Sequence, residues 1–350
     1  MTKATGNKVF GTENERNGSL DFWKGIAALS ICFCHIRFPG YAGAVMAAFG
    51  TCGVAFFFLI SGYALYDPGA DKNTICGRIL KRFKRNLIIT LIAVSVCFIY
   101  TLIDRMIYGD VRGFLESLKD PVIYIQMLFP GDFGIISGQP LWFMAALLFA
   151  YIIFWLLFFF GLKDKIHYLL LPCALLCIAG DMTVSTLGLN FHLCSNAIAA
   201  AFPLMLLGFS VNRFKDRIKL RDLSLILTAC ALALAVILTA CLRPGGVDIS
   251  PLFKMPFSAV MLVICIRQKD RHPSRFFERI GRQDALYFYL VHDLVIDPVI
   301  RLYLILAVPS PFFEWTMPFA VLIIALIIAE LIGTAVSLVT AGSRSSKQST

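Results

Sequence analysis

The 350-residue chain is poor in charge: Asp, Glu, Lys and Arg together make up 15%, and only five residues are His. With 58% hydrophobic residues and a strongly positive mean hydropathy, it has too little polar surface to cover a soluble globule, so a polytopic membrane protein is the expectation. No alternating apolar and polar strand pattern is present, which excludes a barrel of transmembrane strands. The eleven cysteines show no CxxC or Cys/His ligand spacing, so they read as buried thiols with no disulfide framework and no metal site; adjacent helix positions keep Cys32 and Cys34 from joining His35 as zinc ligands. No internal repeat of the kind that builds many transporters is evident. No small-residue cleavage site follows the polar start, so the first apolar segment is expected to remain as an uncleaved anchor.

What is present is a series of long apolar runs. Ten spans are expected, near 21–38, 48–66, 86–104, 141–160, 168–180, 194–211, 223–242, 251–266, 285–306 and 316–340. Backbone groups in lipid must pair within each segment, so the fold class is all-α, a polytopic transmembrane helical bundle. If the N-terminus is cytoplasmic, 25 of the 32 basic residues fall on the inner side, and both termini are inside. The +10 net charge is then juxtamembrane topology, and no nucleic-acid partner is implied. Residues 1–19 form a polar cytoplasmic start, 20–340 the membrane domain and 341–350 a cytoplasmic tail expected to lack structure. The segment 105–140 is expected outside. Its run Pro121–Phe129 is too short to span and precedes Gly131, Gly134 and Gly138, which suggests an interfacial or re-entrant piece.

Lys24 and His35 are the most informative polar pair. Eleven residues apart on the first span, they return to nearly the same helical face, and the His lies about 16 Å deeper. A titratable imidazole at that depth is costly and usually functional. Asp21, about 40° from His35 around the helix, is better placed to pair with a basic group than to reach chemistry. In the second span, Phe56-Phe-Phe-Leu-Ile-Ser61-Gly62-Tyr63 combines small residues that permit close helix approach, as does Gly53, with aromatics suited to an acyl chain or to lipid. The run Arg78-Ile-Leu-Lys81-Arg82-Phe-Lys84-Arg85 places five cations in eight residues. Arg82 and Arg85 share a face and suit phosphates, although anchoring to anionic lipid explains the same charges. Trp142 opens the fourth span, where an interface anchor is common. His292 lies inside the ninth span with Asp293 beside it, and reads equally as a helix–helix hydrogen bonder or a reacting group.

In order along the chain, Leu20-Asp-x-x-Lys24-Gly-Ile-Ala-x(7)-His35, Phe-Phe-Leu-Ile-Ser-Gly-Tyr, Arg82-x-x-Arg85, Leu-Trp-Phe and Tyr-x-x-Leu-x-His resemble the integral membrane acyltransferase-3 family, from about residue 20 to 305. Its members include O-acetyltransferases that modify surface polysaccharides and peptidoglycan. The family's signature sets a basic residue, usually Arg, eleven positions before a His. Lys24 here keeps the charge but lacks the planar bidentate fork.

The resemblance implies an acyltransferase, for groups other than aminoacyl, in the cell membrane, the inner one if the cell is bacterial. It implies acyl-CoA, by family habit acetyl-CoA, as donor and no metal. It implies a hydroxyl acceptor outside, a cell-surface or cell-wall glycan above all. His35 is the expected general base, Lys24 a contact for the phosphate or pantetheine of the donor, and Lys81, Arg82 and Arg85 its phosphate clamp, with Ser61, Tyr63, Trp142, His292 and Asp21 as further candidates. Many relatives carry a fused esterase-like domain, and none is evident here, so the chain is expected to act alone or with a separate extracytoplasmic protein. The competing reading is a proton-coupled transporter or flippase for a small solute or lipid-linked sugar, with His35, His292 and Asp293 as relay; a sensor or scaffold without catalysis is the third.

Overall fold

A computed structural model describes residues 17–242 and 246–346; residues 1–16, which make up most of the expected polar start, and 347–350 lie outside the described residues. Among the described residues there is no strand. The helices are α1 (Gly18–His35), α2 (Gly40–Tyr63), α3 (Lys72–Tyr108), α4 (Val111–Ser117), α5 (Pro121–Leu128), α6 (Leu141–Phe159), α7 (Leu170–Leu187), α8 (Phe202–Phe214), α9 (Asp222–Leu242), α10 (Pro251–Arg267), α11 (Arg275–Arg279), α12 (Ala285–Ile305) and α13 (Ser310–Ser346). Wider π turns lead into α8 and join α11 to α12.

Every expected span carries a helix, but among the described residues seven segments are long and apolar enough to cross a membrane by length and composition: α2, α3, α6, α7 with its lead-in turn, α8 with its flanking turns, α9 and Ser310–Leu338 of α13. The other three depart for identifiable reasons. Helix α10 has 17 residues, α1 carries Asp21, Lys24 and His35, and α12 carries His292, Asp293, Asp297 and Arg301. The spans that give up hydropathy are thus largely those that hold the polar candidates. At the far end, helical backbone continues past Ala341 to Ser346, and the rest of the expected tail lies outside the described residues.

Helix α1 lies inside the bundle against α2, α10, α11, α12 and α13, while α2 also meets α8, α9 and α10. Asn17 caps α1 by accepting the Leu20 N–H (2.8 Å) and donates to the Cys265 carbonyl (2.9 Å), which ties the start of α1 to the end of α10. The largest core sits between α2, α6 and α8, where Phe58, Phe154, Phe158 and Phe209 are fully buried. The opposite surfaces of α3 and α13 expose Ile88, Leu91, Ile92, Ile323 and Ile327, a solvent-facing stripe that only lipid would match.

The small residues of the second span act in packing. A Cβ on Gly62 would stand 1.8 Å from the Met205 carbonyl oxygen, and one on Gly208 1.9 Å from that of Leu59, so each helix closes on the other through a glycine. Gly53 meets the Ala27 carbonyl on α1 in the same way, at 2.8 Å. Ser61 contributes differently, bonding its hydroxyl back to the Phe57 carbonyl at 2.9 Å.

The 105–140 segment is helical in α4 and α5. Phe114, Phe133 and Ile136 pack onto Cys97 of α3 and Leu141 of α6, whereas α5 buries none of its residues and presents Val122, Tyr124, Ile125 and Leu128 outward. An eight-residue helix is about 12 Å long, far short of a crossing, and its bare apolar surface fits the interfacial alternative.

Candidate active site

Helix α1 stops at His35, and an extended linker climbs to Gly40, where α2 begins. The Cys34 thiol donates to the Ala47 carbonyl (3.4 Å), which fixes the end of α1 beside the seventh residue after Gly40. At helical rise this sets His35 about 10 Å below the Gly40 end of α2 and about 24 Å from its Tyr63 end. The imidazole therefore sits within the bundle, and 24% of its side-chain surface remains accessible where it lines a cavity.

The partner of His35 comes from α12. Asp293 Oδ1 stands 3.7 Å from His35 Nδ1, within ion-pair reach though longer than a formed hydrogen bond. Catalytic contacts of this kind commonly tighten only around the substrate. His292, the preceding residue, is fully buried behind His35, edge-on to its ring at a centroid distance of 5.1 Å. Its Nδ1 contacts the Phe288 carbonyl at 3.3 Å, the geometry of an Nδ1–H donor, and Nε2 is left without a partner. One turn earlier, the Tyr289 hydroxyl donates to the Pro140 carbonyl (2.6 Å), joining α12 to the start of α6. That bond brings Gln139 and Trp142 to the same cavity.

The cavity has a volume of about 600 Å³, in the range of small-molecule sites. Small residues of α2 (Ala44, Ala47, Ala48, Thr51) make room along one wall, and Trp142, Phe191 and Tyr289 give aromatic surfaces. Its polar groups include His35, Gln139, Asp181 and Lys254. A lobe of about 140 Å³ runs past Thr51 and Trp142 towards Phe58, Leu204 and Met255. The loops at its mouth are linked by His192 and Asp132 (3.5 Å). Burial pushes the His192 imidazole below its ordinary value, with Asp132 partly opposing the shift.

The sequence-derived candidates divide into two groups. His35 and Trp142 line the cavity, and His292 stands directly behind it. Lys24, Asp21, Lys81, Arg82, Arg85, Ser61 and Tyr63 contribute to neither the cavity nor its lobe. Lys24 pairs with Asp21 at 3.3 Å, the pairing expected of that carboxylate. Tyr63 lies at the far end of α2, where its carbonyl accepts from the Asn212 side chain (2.7 Å). Arg78 is committed to Asp67 (2.5 Å), whose carboxyl it holds below the usual range through that hydrogen bond. Arg82 and Arg85, one and two turns further on α3, form no ion pair among the described residues. Sequence reasoning placed Asp293 only in a proton relay, although its position beside an intramembrane His was a signal for a partner of His35. Asp181 and Lys254 carried no comparable signal, because spacing does not show which helices meet.

Among the described residues no group of three His, Cys, Asp or Glu could hold a metal ion, and all eleven cysteines are free thiols. Fold and site together define a helical membrane protein in which a histidine, with a carboxylate beside it, faces a ligand-sized cavity. The family described as the acyltransferase domain matches residues 17–335, and the chain belongs to this acyltransferase-3 family. Neither the curated proteins nor the solved structures give a significant match. The chain is accordingly a membrane acyltransferase.

Proposed function

We propose that the protein moves an acyl group, by family habit acetyl, from cytosolic acyl-CoA to a hydroxyl of an extracytoplasmic glycan, with His35 as general base. The observation that carries this reading is the placement of His35 on the cavity wall with Asp293 behind its ring. The charge bias assigns the Gly40 end of α2, and with it the cavity mouth, to the outside. The acceptor then enters from there, and the donor's thioester arrives from the opposite side.

His35 takes the proton of the acceptor hydroxyl as its oxygen attacks the thioester carbonyl. Collapse of the tetrahedral intermediate breaks the C–S bond, the ester remains on the acceptor, and the proton held by His35 goes to the departing thiolate. Asp293 holds the imidazole orientation and offsets the charge it acquires. Lys24, about 16 Å towards the cytosolic end of the same helix, meets the phosphate or pantetheine of the donor, and Lys81, Arg82 and Arg85 hold its nucleotide phosphates. The guanidinium groups of Arg82 and Arg85, which form no ion pair among the described residues, lie next to an Arg78 already committed to Asp67 and support this division.

The test is CoA release. Detergent-purified protein given acetyl-CoA and a glycan should liberate CoA and form ester with no ion gradient. Changing Arg82 and Arg85 together to Gln should raise the KM for acyl-CoA by about ten- to a hundred-fold, the loss of a charge-assisted hydrogen bond or two. An unchanged donor KM returns these arginines to topology alone. Solute movement that needs a gradient, without CoA release, would instead support the transporter reading, for which the adjoining His292, His35 and Asp293 would serve as relay.

A further inference from the structure

Lys254 has no role in the reaction just described, yet it projects into the same cavity. The Ser258 hydroxyl reaches the Cys52 carbonyl at 3.0 Å, and α10 and α2 run side by side, Phe253 and Phe257 packing near Ala48 and Cys52 and Met261 near Phe56 and Leu59. One turn before Ser258, Lys254 therefore lies at the depth of Ala48. His35 lies at the depth of Ala47, through the Cys34 bond. The ammonium and the imidazole thus enter the cavity at one level, from α10 and α1 on either side of α2.

The electrostatic position of Lys254 is adverse three times over. It is half-buried in an apolar bundle, it occupies the first turn of α10, where the helix dipole disfavours a cation, and it forms no ion pair among the described residues. Asp181 of α7 faces it across the cavity but beyond ion-pair reach, and accepts a long 3.4 Å hydrogen bond from the Ser185 hydroxyl. Asp248, near the mouth, already accepts the Ser250 N–H at 3.0 Å. Arg37, the other cation of the wall, is exposed at the rim. A neutral hydroxyl ligand would leave Lys254 with only the distant Asp181 carboxylate as counter-charge, whereas an anion on the ligand would neutralise it where it stands.

Resting on the acyltransferase reading, we propose that Lys254 determines acceptor specificity by binding an anionic substituent, so that the acceptor is an acidic saccharide. Trp142 and Phe191 offer stacking surfaces for the sugar ring. Asp181 accepts hydrogen bonds from sugar hydroxyls on the far side, and the hydroxyl to be acylated is directed at His35. The recognised chemistry is a carboxylate or a phosphate ester on the sugar.

The test compares charged and neutral forms of one acceptor. Acyl transfer from acetyl-CoA is measured for a uronic-acid oligosaccharide against its methyl ester, and for a sugar 6-phosphate oligosaccharide against the unphosphorylated sugar. The wild type should favour at least one acidic form by about ten- to a hundred-fold in kcat/KM, and the favoured pair identifies the anion. Lys254→Gln should bring that ratio close to one, chiefly through KM, and Lys254→Arg should retain most of it. Equal rates on both members of both pairs overturn the proposal, as does a ratio that survives Lys254→Gln. If some neutral acceptor is acylated while neither acidic form is, the inference fails and the acyltransferase reading stands; if no acceptor of any kind elicits CoA release, the reading itself fails.

Discussion

His35→Ala is expected to reduce acyl transfer by about a hundred- to ten-thousand-fold, the range that a positioned general base supplies. The loss should appear in kcat with protein yield and helical content unchanged, because the substitution removes a side chain that borders a cavity and holds up no packed core. Asp293→Asn is the companion. It keeps the shape beside His35 Nδ1 but cannot offset the charge of an imidazolium, and should cost about ten- to a hundred-fold, the worth of a hydrogen bond to a charged group. The double variant should fall little further than His35→Ala, since residues acting as one unit are not additive. CoA release and ester formation by the purified variants measure all three. Full activity in His35→Ala would sink the base assignment, and a double variant far below both singles would mean that Asp293 acts apart from His35.

These expectations were only partly legible in the chain itself. Periodicity and length place a helix at each of ten apolar runs, because lipid leaves a long apolar segment no other way to pair its backbone. They also single out His35, since an ionisable group in such a run is conspicuous. Depth along one helix is readable too: the eleven-residue step from Lys24 puts the base well away from the cytosolic end. Spacing alone does not fix what lies beside His35, although the place of Asp293 next to an intramembrane His is a signal. Asp293 is 258 residues away and reaches it only because α12 packs on α1, with Gly25 and Gly281 allowing the close approach below. Asp181 and Lys254 each look like a stray charge near a span end, and become a pair of opposed anchors only once α7 and α10 face one cavity. The inner basic residues show the reverse case: their number was conspicuous in sequence, but the fold leaves them remote from the cavity that holds the base.

The second large effect is structural, and Gly62→Val produces it. A Cβ at position 62 would meet the Met205 carbonyl oxygen at 1.8 Å, with the Met205 Cα at 2.6 Å. These are backbone atoms, so no neighbouring side chain can rotate aside, and α2 and α8 must separate. The contact is reciprocal at Gly208 and Leu59, which means that neither helix can slide to relieve it. Separation would loosen Phe58, Leu59, Met205 and Phe209, all fully buried where these helices meet. Overpacking commonly costs about 1–3 kcal/mol, and a backbone clash inside a glycine-closed pair belongs at or above the top of that range. Gly62→Val should therefore lower the thermal midpoint in detergent sharply or abolish monodisperse protein. Gly77→Ala, where nothing lies within 4 Å, should match the wild type or melt slightly higher. Because α2 also carries Ala47, Ala48 and Thr51 along the cavity, any Gly62→Val protein that survives should have lost acyl transfer as well. This pattern differs from that of His35→Ala, in which transfer disappears and the melting curve stays in place. A Gly62→Val protein that melts with the wild type would show that the α2–α8 closure does not hold the bundle together.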